Sequence, residues 1–160
     1  MGQALLYGLF ALIIGYFSSS PRYQHLPSGE ALIKLSFGHE GSLISQCRQR
    51  TPEELAKLAP NMRTPMDCPR ERSPVTVEID LDGMPVYRNV AQPSGLSKDG
   101  ASTVYHRFAV PAGEHRLAIR LNDDARAEGF NYRHEELVAL KPGKVLVIDF
   151  KREAGGIILQ

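Results

Sequence analysis

The stretch VTVEIDLDGMPVY, residues 75–87, decides the fold of this chain. Its first seven residues alternate between apolar and polar side chains, a pattern typical of a strand with one buried face and one face in water. The apolar set consists of Val75, Val77, Ile79 and Leu81. Residues 82–85 predict a turn, and Val86-Tyr87 resumes the extended chain. The centre of the sequence therefore predicts antiparallel β-structure.

Strands of the same kind flank this stretch on both sides. We predict them at residues 30–37, 103–110, 114–121, 132–140 and 145–150. Prolines and glycines mark the turns between them, as at Pro111-Ala112-Gly113 and Pro142-Gly143. Six or seven short strands in this spacing favour one all-β domain, an antiparallel, immunoglobulin-like sandwich over residues 30–160.

Two motifs in this domain resemble those of the PEGA-type envelope β-domains. Residues 77–86, VEIDLDGMPV, read as a strand that ends in Asp-Gly-x-Pro, and residues 110–117, VPAGEHRL, contain Pro-x-Gly-x-His. The similarity covers residues 75–150. It implies a small sandwich in the bacterial envelope, usually without catalytic residues. The long loops at residues 88–102 and 122–129 depart from the pattern of the family.

An uncharged segment, GQALLYGLFALIIGYFSSSP, occupies residues 2–21. As an α-helix, a segment of this length spans about 30 Å, the thickness of the hydrocarbon core of a bilayer. We predict a retained transmembrane anchor at residues 1–21 and a polar stalk at residues 22–29. No Lys or Arg precedes the apolar run, and the residues around its exit make a poor cleavage site. A cleaved signal peptide and a buried core helix are the alternatives.

Three small residues recur along the predicted helix. Gly8, Ala11 and Gly15 are spaced by three and four positions, which places them on one helical face. Small side chains in such a row allow a second helix to approach closely. We therefore predict that this face packs against partner helices, with ordinary membrane-helix composition as the alternative reading.

The only two cysteines, Cys47 and Cys68, bracket an irregular insert at residues 43–74. Within it, Thr51, Pro52 and Glu54 form the start signal of a short helix at residues 52–58, because Thr51 can cap the helix and Glu54 can complete a capping box. A helix this short needs a covalent constraint. We predict a Cys47–Cys68 disulfide, with two free buried thiols as the alternative.

Charge and cysteine use bear on the surroundings of the protein. A formal net charge of +1 provides no strong field for nucleic acid. Arg22 and Lys34 follow the apolar segment, which leans toward a cytoplasmic domain by the positive-inside rule. A cysteine pair is typical of an oxidising compartment, and we give it more weight. We therefore predict that the domain lies on the outer side of its membrane, and the PEGA-type resemblance implies the periplasmic side of the bacterial inner membrane.

Four residues resemble the opening of a calcium-binding loop. They are Glu78, Asp80, Asp82 and Gly83. The calcium-loop pattern requires a glutamate at position 89, where this chain has Asn89. Since the alternation of a strand already accounts for the acidic residues, we do not predict calcium.

Two further groups offer metal ligands. His106 and His115 lie on strands that we expect to pair across the Pro111 turn, and Met62, Met66 and Cys68 are soft ligands for copper(I). A hydrogen-bonded core histidine is commoner than a ligand, and a cysteine in a disulfide cannot bind copper. We therefore predict no metal and no cofactor, and keep copper handling as a third alternative.

The sequence contains no nucleophile motif or phosphate-binding loop, and it does not predict an enzyme. An anchor joined to a small domain predicts a non-catalytic, single-span accessory subunit or assembly factor of a larger envelope membrane complex, with integral membrane proteins as partners. The alternative is a membrane-tethered binding module for glycan, cell wall or a soluble protein. That module needs an exposed aromatic platform, for which the candidates are Tyr87, Tyr105, Phe130 and Tyr132.

Overall fold

Two four-stranded β-sheets pack face to face in the computed structural model, which describes residues 2–20 and 26–160. Sheet 1 consists of β1 (Glu30–His39), β6 (Ser102–Pro111), β9 (Val145–Lys151) and β10 (Gly156–Leu159). Sheet 2 consists of β4 (Val75–Leu81), β5 (Met84–Ala91), β7 (Gly113–Asn122) and β8 (Tyr132–Leu140). Outside the sandwich lie helix α1 (Gly2–Ser19), helix α2 (Pro52–Lys57) and a small ladder of β2 (Arg48–Gln49) with β3 (Met66–Asp67).

The order of the strands confirms the predicted all-β sandwich. Sheet 1 runs β10-β9-β1-β6, and sheet 2 runs β5-β4-β7-β8. One pairing differs from the antiparallel expectation, because β1 and β9 run parallel, with Ile33 beside Leu146. The parallel pair arises because β9 joins sheet 1 after the chain has passed through both strands of sheet 2 that follow β6.

Alternating side chains of both sheets meet in one apolar core. The stretch at residues 75–81 alternates between buried and half-buried positions, as its sequence predicts. Strands β1 and β7 contribute matching inward rows, so the core lies between the centres of the two sheets. Its fully buried large side chains are Ile33, Leu35, Val75, Val77, Ile79, Val104, Leu117, Ile119, Leu121 and Ile148.

The two ends of the sandwich differ in what they carry. We call the end where β1 begins the near end, and it holds the turns at residues 82–83, 111–113 and 141–144. The opposite, far end holds the insert at residues 43–74 and the loops at residues 92–101 and 123–131. Backbone hydrogen bonds join these segments, from Ser42 N to Asp123 O (2.7 Å) and from Arg72 N to Lys98 O (2.9 Å).

Several strand predictions need correction. Strands β6 and β7 do not pair across Pro111-Ala112-Gly113, because β6 pairs with β1 along its whole length and β7 lies in sheet 2. The short connection crosses between the sheets instead of forming a hairpin. Strand β5 extends to Ala91, and the C-terminal tail forms β10, which the sequence pattern did not indicate. Residues 22–25 of the predicted stalk lie outside the described residues.

Candidate functional site

Helix α1 stands apart from the core of the sandwich. None of its residues is buried, although it carries large apolar side chains such as Leu5, Phe10 and Phe17. Its length and composition suit a membrane span. An N-terminal signal sequence has the same length and composition. The sandwich buries its own apolar residues without α1, so the helix is available to another apolar environment.

The small-residue face of α1 is uncovered. Gly8, Ala11 and Gly15 are all exposed, and a Cβ placed on either glycine would meet no atom within 4 Å of the described chain. A neighbouring helix could therefore approach the backbone along this face. The sequence interpretation of this face stays a prediction, because it concerns a partner.

The disulfide between Cys47 and Cys68 is present, with the two Cα atoms 4.2 Å apart. Strands β2 and β3 pair directly beside it, with Arg48 opposite Asp67. Since both sulfurs are bonded to one another, neither is available as a thiolate for a metal or for catalysis. The disulfide therefore closes the base of the insert.

Helix α2 begins as the sequence predicts. The backbone N–H of Glu54 donates to Thr51 Oγ1 (3.3 Å), and the backbone N–H of Thr51 donates to Glu54 Oε2 (3.0 Å), which completes the capping box. Arg48 reaches the same carboxylate at 3.0 Å and Asp67 at 2.9 Å. The Thr51 N–H and Arg48 lower the pKa of Glu54. These contacts join α2 to the small β2–β3 ladder.

A hydrogen-bonded neck connects the insert to the sandwich. Leu43 bridges to Arg72, Ile44 N donates to Glu71 O at 3.0 Å, and Ser73 N donates to Ser42 O at 2.7 Å. Gly41 lies at this neck with its Cα against the Ser73 carbonyl, where a Cβ would overlap the carbonyl oxygen. The neck therefore connects the insert to the sandwich through contacts that do not involve the disulfide.

The residues considered for calcium and copper do not form a metal site in the described part of the chain. Glu78 binds Arg88 (2.7 Å) and Arg120 (3.1 Å), and Asp80 binds Arg120 at 2.7 Å. Cys68 is in the disulfide, and Met62 and Met66 are exposed on the insert. In residues 2–20 and 26–160, no three His, Cys, Asp or Glu side chains are placed to hold a metal ion.

The histidines His106 and His115 do not approach one another as a pair of ligands. His106 stacks on Tyr87 with ring centroids 4.5 Å apart, between the edges of the two sheets. His115 bonds to Asp82 Oδ2 through Nδ1 (2.7 Å) and to Pro111 O through Nε2 (2.9 Å). Both partners are acceptors, so both contacts are satisfied only by the imidazolium. His115 joins the turn at residues 82–83 to the turn at residues 111–113.

This arrangement makes the near end sensitive to pH. The hydrogen bond to Asp82 raises the pKa of His115, and the same bond lowers the pKa of Asp82. The contribution of His115 to stability is complete below its unfolded pKa of about 6.5 and is lost as pH rises through the raised value. The contribution of Asp82 is complete above about pH 3.9 and is lost as pH falls through the lowered value. Both contributions to stability are therefore complete between about pH 3.9 and about pH 6.5.

The four aromatic candidates do not form one platform. Tyr87 packs against His106 and the core, and Tyr105 projects from the other face of edge strand β6, 61% exposed. On the opposite side of the sandwich, Tyr132 packs edge-on against Phe150 at 4.9 Å. Phe130 lies under the guanidinium groups of Arg120 and Arg133. Only Tyr105 keeps a largely free ring.

A buried polar network at the far end was not evident from the sequence. His39 Nε2 lies 2.7 Å from Asp123 Oδ2, and the amide of Asn131 donates to Asp123 Oδ1 at 2.8 Å. Arg152 donates to the same carboxylate at 3.3 Å. His39 and Asp123 are 7% and 2% exposed, whereas Asn131 and Arg152 reach them from the exposed surface, so the network joins the loops of the far end around a buried pair. No local signal pairs residues so far apart in the chain.

Ser102 lies opposite His39 in the β1–β6 ladder and is fully buried. Its hydroxyl makes no hydrogen bond to any residue in the described ranges. His39 uses Nε2 for Asp123, so these residues lack the hydrogen-bond chain of a Ser-His-Asp triad. Arginines also bind Asp124 and Glu135: Arg126 lowers the pKa of Asp124 to about 2, and Arg116 pairs with Glu135.

Comparisons with protein-family models, with curated proteins and with solved structures found no match to this chain.

Proposed function

We propose that this protein is a single-span accessory subunit or assembly factor of a larger envelope membrane protein complex. The observation that carries the proposal is the uncovered apolar helix α1 beside a sandwich that completes its core without it. A helix of this kind is stable where lipid or partner helices surround it. The face of Gly8, Ala11 and Gly15 would receive a partner helix.

The charged groups of the sandwich support a non-catalytic role. Most of the carboxylates on the outer face of sheet 2 are bound by arginines, and the buried His39–Asp123 pair is hydrogen-bonded to Asn131 and Arg152. Groups held in this way orient loops and strands. We infer that the domain acts by binding and not by chemistry.

The disulfide supports the periplasmic side of a bacterial inner membrane. A structural disulfide is typical of an oxidising compartment, and the Cys47–Cys68 bridge closes a solvent-exposed insert. The PEGA-type resemblance favours the same place. Its two motifs, around Asp82 and around His115, contact one another in the fold at 2.7 Å.

Co-purification from native membranes in a mild detergent tests the proposal. Replacing Gly8 and Gly15 together by Leu should release the protein from its complex while it stays in the membrane, because the added side chains block close helix packing. A matched control is Leu6→Phe with Ile13→Phe, which adds bulk on the opposite helical face. Unchanged co-purification of the glycine variant would place the association in the sandwich.

The retained anchor has its own direct check. Intact-mass analysis of the mature protein should show residues 2–20 still attached. A mature chain that begins near residue 21 would identify a cleaved signal peptide and end the single-span proposal.

The tethered binding module is the second candidate function. The observation that favours it is the meeting of three long connections at the far end, at residues 43–74, 92–101 and 123–131. Loops gathered at one end of a sandwich are a common binding surface. Loss of the partner on shortening the insert, with no effect of the α1 substitutions, would select this function.

A further inference from the structure

Two like charges face each other on the outside of sheet 1. Lys34 on β1 is the register partner of Arg107 on β6, and both point away from the core because their neighbours Ile33 and Leu35 are buried. Like charges directly opposite in a ladder destabilise the sheet. Within residues 2–20 and 26–160, neither side chain forms an ion pair. The fold therefore carries an uncompensated basic pair.

The outer face of sheet 2 is arranged in the opposite way. Arg88 binds Glu78 at 2.7 Å, and Arg120 binds Glu78 and Asp80. Arg116 binds Glu135. Acidic partners are therefore present for these arginines of sheet 2, whereas the basic pair of sheet 1, half-buried Lys34 and exposed Arg107, has none among the described residues.

Apolar and aromatic groups surround the basic pair. Tyr105 is 61% exposed, with Lys34 Nζ 5.7 Å from its ring centroid. Toward the near end, Leu32 pairs with Val145, which is 43% exposed, and the Leu32 N–H donates to the carbonyl of exposed Lys144 at 2.9 Å. We call this surface the basic face, defined as Leu32, Lys34, Tyr105, Arg107, Lys144 and Val145. Its acidic neighbours are Glu30 and Asp149, and the second lies near Lys151.

We propose that the basic face binds the anionic phospholipid surface next to the anchor, and this inference rests on the proposed single-span function. Nine residues lie between Ser20 and Glu30, so ten Cα–Cα steps place the near end at most about 35 Å from the end of α1. Cations close to an anionic leaflet are attracted to it, and tyrosine is favoured at the headgroup level. The combination of cations, a free tyrosine ring and small apolar groups fits that interface.

A site-directed probe can measure this contact in the full chain. The native cysteines are bonded to one another, so a thiol-reactive fluorophore labels only an introduced cysteine. Ala109→Cys places the probe on the exposed face of β6, and Val90→Cys places a control probe on the outer face of sheet 2. Each protein is reconstituted in nanodiscs of phosphatidylcholine alone or mixed with phosphatidylglycerol, with a headgroup-linked nitroxide lipid as the quencher.

We expect quenching of the probe at residue 109, and not of the probe at residue 90, in discs that contain phosphatidylglycerol. Raising the salt concentration should weaken it, because screening shortens the range of the attraction to about 3 Å at 1 M. Lys34→Glu with Arg107→Glu should lower the equilibrium constant for this contact by about 25-fold or more, since each cation contributes about fivefold. Lys57→Glu with Arg133→Glu reverses two exposed charges elsewhere and should leave quenching unchanged.

Each outcome decides the inference. Equal quenching in both lipid mixtures, or quenching that survives the Lys34/Arg107 reversal, overturns it. Loss of a co-purifying protein on that reversal, without lipid-dependent quenching, also overturns it and identifies an acidic protein as the partner. Failure of the chain to enter nanodiscs would instead refute the single-span function. A folded Lys34→Gln with Arg107→Gln variant that keeps the lipid dependence would equally contradict the role of these cations.

Discussion

Replacing Cys47 and Cys68 together by Ser should open the insert and leave the sandwich folded. The disulfide closes a loop with a sequence separation of 21. In the chain-entropy model a loop of this length is stabilised by about 3 kcal/mol. None of the residues of α2 is buried, and the core residues all lie outside the insert. The loss of the disulfide should therefore lower the free energy needed to open residues 48–67 locally.

Native-state hydrogen exchange measures this opening residue by residue. The amide of Arg50 donates to Pro65 O at 2.9 Å and that of Leu55 to Thr51 O at 3.0 Å, so both report on the insert. Their exchange should accelerate about a hundredfold in the double variant, which corresponds to about 3 kcal/mol. The amide of Val77, in the central strand of sheet 2, serves as the control and should not change.

Two results would refute this reasoning. If Val77 accelerates as much as Leu55, the insert and the sandwich open together and the neck does not separate them. If the exchange of Arg50 and Leu55 does not change, the disulfide contributes nothing to the stability of the insert. Trypsin provides an independent readout. In the double variant it should cleave the insert after the exposed residues Arg48, Lys57 and Arg63.

Two further predictions concern the near end and the neck. Asp82→Asn should lower the pKa of His115 toward its ordinary value in an NMR titration, and an unchanged titration would show that Asp82 does not hold the imidazolium. Gly41→Ala should destabilise the domain by about 1–3 kcal/mol or more in urea denaturation, because the new Cβ overlaps the Ser73 carbonyl. Gly38→Ala, which meets open space, should change stability little, and equal losses in the two variants would contradict the close approach at Gly41.

The sequence was sufficient wherever the signal was local. Alternation over residues 75–81 identified a strand with one buried face, and Thr51 with Glu54 identified the start of α2. The Cys47–Cys68 bridge followed from there being only one pair to form. In each case neighbouring side chains determine the local structure, so the pattern alone is informative.

The sequence was insufficient where partners come from distant strands. The Pro111-Ala112-Gly113 turn has the composition of a hairpin, yet it crosses between the sheets, because β6 pairs with β1 in sheet 1 whereas β7 pairs with β4 and β8 in sheet 2. The pairing of His39 with Asp123 depends on both sheets being in place, because His39 ends β1 of sheet 1 and Asp123 follows β7 of sheet 2. The proposed helix-packing and basic faces depend on surroundings that the chain itself does not contain.

The position of β1 in sheet 1 has a consequence for how the chain acquires its structure during synthesis. β1 leaves the ribosome long before β6 and β9, which flank it in the finished sheet. Until they arrive, Ile33, Leu35 and Phe37 form an apolar strand with both edges unpaired, a state that is prone to aggregation. The two cysteines, in contrast, emerge close together and ahead of β4. In an oxidising compartment the disulfide can therefore form before the last strands of the sandwich arrive, and a holding chaperone would find its target at residues 30–39.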